Sequence, residues 1–491
     1  MIFNIDNLLT HVDDVTPLAE PLHKFFDIKK DGFVRGVDWK HYQITGQTVL
    51  KTKYKPEFIN LYNYLAKTFP TGRVGYVLDW CDEHSVPYEI RDIRKKPSRH
   101  LDIKYIGPPS DGSNGQPPRL YQIEAPKIVE ESTRGILWHA TASGKTATAA
   151  RTIAHLGVNT LYVVPSLELL NQTSEMLGNM LSVEVGKVGE GTWDPKEITV
   201  ATTATLWSRF DTPECKELLN KTELLIVDEV HHVNVKTTTK DKNKRAYNVN
   251  SWYIIAINCP AYYRVGLTGT PGKNIEQKRA LLECAIGRVI HRVSTKELID
   301  LGVVSDVEVH MHEIPQQTVL DYASARRECV LTNEKFNDYV VRITIEELKA
   351  GKNALLVTNS KEHQGPLLVS LFKKYGYNVP FVTGEENKKN RKKFREDFRD
   401  GKINCIISTI YKEGVDFPKC DCGVLCDGGY DEKATIQFLG RILRISKGKG
   451  IAHLHDFAHK DKKYLQKHST ARLNYFIEED LEKIIIHKAT Y

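Results

Sequence analysis

Two runs of short apolar segments, each alternating with helix-patterned sequence, constrain this chain more than any other feature. GILWHA (135–140), TLYVVP (160–165), ITVATT (198–203), LLIVDEV (224–230) and RVGLTGT (264–270) make the first run. ALLVTNS (354–360), VPFVTG (379–384), INCIISTI (403–410), CGVLCDG (422–428) and AHLHDF (452–457) repeat the rhythm. A short, uninterrupted apolar run suits a strand covered on both faces, and strands separated by helices build parallel sheets. The expected fold is therefore α/β, with two tandem doubly wound parallel-sheet lobes at 119–300 and 301–491. In such sheets the chemistry collects on loops at the C-terminal ends of the strands.

Residues 1–107 read as a separate small α+β domain. Phe58, Leu61, Tyr62, Leu65 and Phe69 recur at a spacing that predicts an amphipathic helix. YQITGQTVLKTKY (42–54) predicts a hairpin turning at Thr45-Gly46. IGPPSDGSNGQPP (106–118) is the clearest linker. At 491 residues the chain exceeds what one core supports, and 41% hydrophobic with 27% charged residues is ordinary for a globular protein. No stretch of about 18 apolar residues suggests a membrane span. The start, MIFNIDNLLTHVDDV, lacks the basic lead and apolar run of a signal peptide, so a soluble cytoplasmic protein is expected. The nine scattered cysteines fit a reducing compartment. Cys420, Cys422 and Cys426 lack a fourth ligand at finger-like spacing and read as small apolar residues around a strand. A net charge of +7 is compatible with a phosphate-backbone partner without requiring one.

HATASGKT (139–146) follows an apolar strand and opens a helical pattern, the context of a phosphate-cradling loop. Backbone N–H groups around Thr141, Ser143 and Gly144 would wrap phosphates, Lys145 would reach the β and γ phosphates, and Thr146 would ligate Mg²⁺. His139 replaces the first glycine of the usual pattern, and Ala142 stands where glycine is common. About 80 residues later, LLIVDEVHH (224–232) ends an apolar strand in two adjacent carboxylates. Phosphoryl transfer needs one carboxylate to hold Mg²⁺, here Asp228, and one to activate water, here Glu229.

Taken together these motifs resemble those of superfamily 2 helicases of the DExH type, and the resemblance continues in order over about 119–460. It implies RecA-like lobes and ATP hydrolysis with Mg²⁺. RLYQIEA (119–125) is similar to the adenine-side motif, with Arg119 and Gln122. PSLELLNQT (165–173) and ATTATLW (201–207) resemble the motifs that touch the nucleic-acid backbone, through Pro165, Ser166, Thr202 and Thr203. LTGTP (267–271) resembles the motif coupling ATP state to the polymer-binding face. In the second lobe the resemblance implies backbone contacts at Asn359, Thr383, Gly384 and Thr409, and nucleotide contacts at Gly414 and Asp416. QFLGRILR (437–444) matches the last motif, so Gln437, Arg441 and Arg444 take its catalytic role, the arginines aimed at the γ phosphate.

The DEVHH form and STKELIDLGVVSDVEV (294–309) look most like the UvsW-type branch-migration helicases of bacteriophages, with XPB-like and restriction-type motors as near relatives. Branched DNA is the expected partner, gripped partly by the N-terminal domain, and a monomer is expected. An RNA helicase, or an ATP-gated DNA-binding protein with weak translocation, is the alternative. Three basic stretches are candidate phosphate contacts: RDIRKKPSRHLDIK (91–104), the insertion holding Lys240, Lys242, Lys244 and Arg245, and KKNRKK (388–393), whose helix should turn Phe394 and Phe398 inward.

Overall fold

The computed structural model describes residues 1–30, 33–37, 50–54, 57–97, 100–108, 118–232, 251–269, 276–315, 321–409, 420–429, 432–445, 449–460 and 464–489. The N-terminal strands are β1 (Ile2–Ile5), β2 (Leu9–Val12), β3 (Asp27–Lys30), β4 (Phe33–Val37), β5 (Leu50–Tyr54), β6 (Glu57–Asn60), β7 (Thr68–Pro70) and β8 (Glu89–Asp92). Four of them form a sheet in the order β7-β2-β1-β8, while β3–β6 and β4–β5 make antiparallel ribbons. Helices Ala19–Phe26 and Val74–Glu83 close the core with Leu22, Phe26, Val77 and Trp80 against Phe3, Val12 and Phe69.

One expectation fails here. The helix predicted through Phe58, Leu61, Tyr62, Leu65 and Phe69 does not form, because β6 and β7 flank a turn in that stretch. Asn63 and Thr68 exchange backbone hydrogen bonds across the turn, Lys67 adopts φ +50°, and Leu65 is 98% exposed. Tyr62 and Phe69 reach one core from a turn and a strand, so their helix-like spacing is a product of tertiary packing. Strand β5 pairs with β4; the Thr45-Gly46 turn and linker residues 109–117 lie outside the described residues.

The first large sheet, mostly parallel with β12 antiparallel to β11, contains β9 (Arg134–His139), β10 (Thr160–Val164), β11 (Gly186–Gly189), β12 (Thr192–Asp194), β13 (Ile198–Thr202), β14 (Leu224–Val227), β15 (Tyr263–Thr268) and β16 (Val289–Val293). Its order is β12-β11-β13-β10-β14-β15-β9-β16. Leu161 and Val163 of β10 enter one core while Tyr162 and Val164 enter another. Alternate side chains of one strand thus serve opposite, covered faces, which is why the sequence reads as continuous apolar runs. The N-terminal domain docks on this lobe. Asn7 Nδ2 donates to the Pro260 carbonyl at 2.6 Å, and the Tyr76 hydroxyl donates to Glu283 at 2.8 Å. A Cβ on Gly72 would lie 2.1 Å from the Glu283 carbonyl oxygen, so only glycine permits this approach.

The second sheet contains β17 (Val307–Ile314), β18 (Ala354–Val357), β19 (Phe381–Val382), β20 (Cys405–Ser408), β21 (Cys422–Leu425), β22 (Ala452–His459) and β23 (Ile484–Lys488). Its order is β19-β20-β18-β21-β22-β17-β23, with parallel pairing throughout. The fold is thus two parallel-sheet α/β lobes with a small N-terminal sheet domain. By compactness the chain divides into two units. One holds Arg119–Trp138 and Lys145–Arg292 with the N-terminal residues, and the other holds Val293–Tyr491 and His139–Gly144. Phe398 turns inward from the helix Lys388–Arg399 as expected, and Phe394 is half-buried. Cys420, Cys422 and Cys426 are buried free thiols; burial pushes Cys420 up to about 12 and raises Cys422 further. Among the described residues no helix is long and apolar enough to cross a membrane.

Candidate nucleotide and nucleic-acid site

The strands β13, β10, β14, β15 and β9 lie side by side in the first sheet, so their C-terminal tips form one edge. From β9 the chain passes through the loop 140–144 into the helix Lys145–Leu156. Ala142 and Gly144 take φ +69° and +81°, and the Ser143 N–H donates to the Ala140 carbonyl at 3.2 Å. The left-handed conformation at Ala142 explains why glycine is common there; an L-residue pays roughly 1–2 kcal/mol for it. His139 and Ser143 are fully buried, whereas Thr141, Gly144, Lys145 and Thr146 are half-buried. Upstream, the helix Leu120–Ser132 buries Gln122 and leaves Arg119 half-buried.

At the tip of β14, the Asp228 N–H donates to the Val163 carbonyl and the Glu229 N–H donates to Asp228 Oδ1, both at 2.9 Å. Glu229 itself sits at φ +46°, a strained conformation for a non-glycine residue. Burial, reinforced by the Glu229 charge, pushes Asp228 up to about 6, with Lys145 pulling the other way. A carboxylate held so reluctantly, with Lys145 as its neighbouring cation, is short of positive charge, which fits a divalent cation. Tyr162 is fully buried on β10, and burial, with the Asp228 charge, raises its pKa well above normal. Two further contacts were not read from the sequence. His231 Nδ1 lies 2.9 Å from the Thr268 hydroxyl and 3.3 Å from Glu229, joining the tip of β14 to that of β15. The signal for it was present in DEVHH, but which neighbour that histidine meets depends on strand order.

Farther along the edge, Ser166 caps the helix Leu167–Leu181 and is exposed, with Pro165 half-buried beside it. Thr202 accepts from the Thr205 N–H as a helix cap, and the Thr203 hydroxyl donates to the Val164 carbonyl at 3.2 Å. Both threonines are buried, so their hydroxyls serve the local fold and Ser166 is the accessible hydroxyl on this stretch.

The second sheet builds a comparable edge. Asn359 follows β18, Thr383 follows β19, Thr409 follows β20 and Asp427 follows β21, all neighbouring parallel strands. The Thr409 N–H donates to the Val382 carbonyl at 3.1 Å. Asn359 and Gly384 are exposed, and the Asn359 amide donates to Asp427. Gln437 and Arg441 lie one turn apart on the helix Glu432–Ile442, and Arg444 follows its end. Arg441 is 4% exposed, and Gln437 Oε1 is buried without a hydrogen-bond partner among the described residues.

Gly414, Asp416, Lys240, Lys242, Lys244 and Arg245 lie outside the described residues. Of the basic run 91–104, Arg94 is spoken for: it donates to Asp92 and to the Thr133 hydroxyl at 2.6 Å, and stacks 4.8 Å from the Tyr262 ring. That guanidinium therefore joins the N-terminal domain to the first lobe, leaving Lys95 and Lys96 exposed.

The family model for the type III restriction enzyme res subunit matches residues 116–273, and that for the helicase conserved C-terminal domain matches residues 335–446. The chain belongs to the superfamily 2 helicases. As a member it is an ATP-dependent enzyme. Among curated relatives, the DNA 3'-5' translocase XPB2 of Sulfurisphaera tokodaii is 28% identical over 66% of this chain and 78% of its own length. The putative DNA 3'-5' helicase Rad25 of Halobacterium salinarum is 26% identical over 66% of this chain but only 52% of its own length. Among solved structures, a fragment of a putative HsdR subunit of a type I restriction enzyme from Vibrio vulnificus aligns over 91% of this chain and 81% of that one. Its TM-score of 0.55 at 17% identity speaks for the fold.

Proposed function

We propose that this helicase is an ATP-driven DNA translocase that remodels branched DNA such as forks, D-loops and Holliday junctions. The observation that carries the motor reading is the continuous tip edge of the first sheet. The candidate phosphate loop follows β9, the candidate carboxylates follow β14, the accessible Ser166 follows β10, and His231 ties Glu229 to Thr268 at the end of β15. His231 thus couples the carboxylate tip of β14 to the LTGTP segment at the end of β15, which the resemblance gives the role of linking ATP state to the polymer-binding face.

In this reading Arg119 and Gln122 hold the base, Thr141, Ser143, Gly144 and Lys145 hold the phosphates, and Thr146 with Asp228 holds Mg²⁺. Held there, Mg²⁺ would supply positive charge against the phosphate oxygens. Glu229 orients and deprotonates the attacking water, while Gln437, Arg441 and Arg444 complete the charge balance on the transferred phosphoryl group. Pro165, Ser166, Asn359, Thr383, Gly384 and Thr409 touch the backbone of the strand, so binding is insensitive to base sequence. Gly414, Asp416, Lys242, Lys244 and Arg245 remain candidates from the sequence. The division 1–107, 119–300 and 301–491 gives an accessory DNA grip and two lobes, acting as a monomer in the cytoplasm.

DNA is favoured over RNA because the relatives named above are described as acting on DNA. The branched substrate rests on the UvsW-like sequence features alone. The deciding experiment measures ATPase stimulation and strand separation on forked, three-way and four-way DNA, with single-stranded RNA and Lys145→Ala as controls. Fork- or junction-stimulated turnover that Lys145→Ala abolishes is the expected result. Stimulation by RNA alone rejects the DNA reading, and stimulation by linear DNA equal to that by junctions rejects the branched one.

A further inference from the structure

Five histidines meet on one face of the second sheet, on β22, β17 and β23, the half that carries none of the residues assigned above. Strand periodicity puts Glu308, His310 and His312 on one side of β17, and His453 and His455 on the same side of β22. The register sets Glu308 opposite His453, His310 opposite His455 and His312 opposite His487 of β23. The helix Glu334–Lys349 crosses this face and adds Tyr339 and Glu347.

Glu347 is the centre. Both of its carboxylate oxygens lie 3.0 Å from His453 Nδ1, and one lies 3.2 Å from His455 Nε2. The far nitrogen of each ring is also held. His455 Nδ1 is 2.9 Å from His312 Nε2, and His312 Nδ1 is 2.8 Å from the Tyr339 hydroxyl. His453 Nε2 faces Glu308 at 3.7 Å, and the neighbouring His310 is held by His487 at 2.8 Å. Side-chain exposure is 14% for Glu347, 20% for His453 and 5% for His455, so the group is sheltered without being sealed.

We infer that Glu347, His453 and His455 form a binding site for a divalent transition cation of the zinc type. The ligand atoms of the three residues all lie within 4.8 Å of one another. Tetrahedral ligands at about 2.0–2.1 Å from zinc stand about 3.3 Å apart, close to the carboxylate–imidazole separations found here. Two imidazoles and one carboxylate leave a fourth position for water. The outer contacts are those that orient metal-bound histidines: with His455 Nε2 offering its lone pair, its Nδ1–H donates to His312, whose Nδ1–H donates to Tyr339. The ion would fasten the helix Glu334–Lys349 to β22 within the second lobe.

The test uses the full chain, stripped with chelator, desalted and titrated with Zn²⁺ alone. Bound metal is read by elemental analysis after a second desalting, and unfolding is followed by circular dichroism. The expected result is one Zn²⁺ per chain, a melting temperature raised by several degrees, and ligand-field bands of low-symmetry, tetrahedral strength when Co²⁺ replaces Zn²⁺. His453→Ala and the conservative Glu347→Gln should both lose the ion, while His11→Ala, in the N-terminal domain, should keep it. Should His453→Ala fail to fold, Glu347→Gln and the wild-type Co²⁺ spectrum decide the matter. Wild-type protein retaining less than about a tenth of an equivalent at micromolar Zn²⁺ would overturn the site. So would unchanged binding by folded Glu347→Gln protein, and the histidines would then be a hydrogen-bonded network only.

Discussion

In the first sheet Asp228 and Glu229 stand at the tip of β14 and Thr268 at the tip of β15, whereas the second sheet carries Glu308, His310 and His312 inside β17 and His453 and His455 inside β22. The two settings impose different demands. A tip residue borders open loops, so its hydrogen bonds and charge can be left incomplete for a ligand to complete. Asp228 is accordingly pushed up to about 6, and Glu229 is held at φ +46°. A polar group inside a strand has no such outlet and must be satisfied by its own neighbours. Each ring from His310 to His455 therefore meets another ring, a tyrosine or a carboxylate. The first sheet stores electrostatic strain where chemistry is expected, and the second relieves it within the core.

That contrast can be broken by substitution. Glu229→Gln should lower ATP turnover by about 10²–10⁴-fold, the usual worth of a general base, with nucleotide affinity retained. Single-turnover hydrolysis beside equilibrium binding measures it, and near-normal turnover would remove Glu229 from the reaction.

Asp228→Asn should abolish turnover too, yet stabilise the nucleotide-free protein by about 2–3 kcal/mol at pH 7.5, since one pKa unit corresponds to about 1.4 kcal/mol. The sign follows from the raised folded pKa of an acid. Below about pH 4 both folded and unfolded carboxyls are protonated and the substitution should be neutral; the advantage should grow between pH 4 and 6 and stay constant above. Urea melts across that range check it, and a destabilised variant at pH 7.5 would mean that the tip is not strained.

Asn359→Ala sharpens the comparison on the other sheet, where the tip group is neutral. Loss of one backbone contact should weaken single-stranded DNA binding by about 1 kcal/mol, several-fold, equally for all sequences. Fluorescence anisotropy with two unrelated oligonucleotides measures it. The smallest effect is expected from Ala142→Gly, which relieves a left-handed residue at φ +69° and should stabilise the protein by up to about 1 kcal/mol. A lower melting temperature would show that the loop tolerates alanine without strain.

Much of this architecture was legible beforehand. Leu224–Val227 and Thr160–Val164 are buried end to end, and such strands announce themselves as unbroken apolar runs. The phosphate loop and the paired carboxylates were legible because consecutive residues carry them. The turn after β6 was misread because its apolar residues, spaced like a helix, are gathered from separate elements. Arg94 looked like a free basic residue until its partners Asp92, Thr133 and Tyr262 were in place.

The sequence by itself determined what is local: which segments are strands, where a loop can cradle phosphate, and which carboxylates end a strand. Strand order was left to the tertiary structure, and with it every contact between residues distant in the chain. Only because β14 lies beside β15 does His231 reach Thr268, and only because β17 lies between β22 and β23 do histidines from three separate segments converge under Glu347. Periodicity can say which face of a strand a side chain takes, but burial of whole apolar faces decides which strands become neighbours.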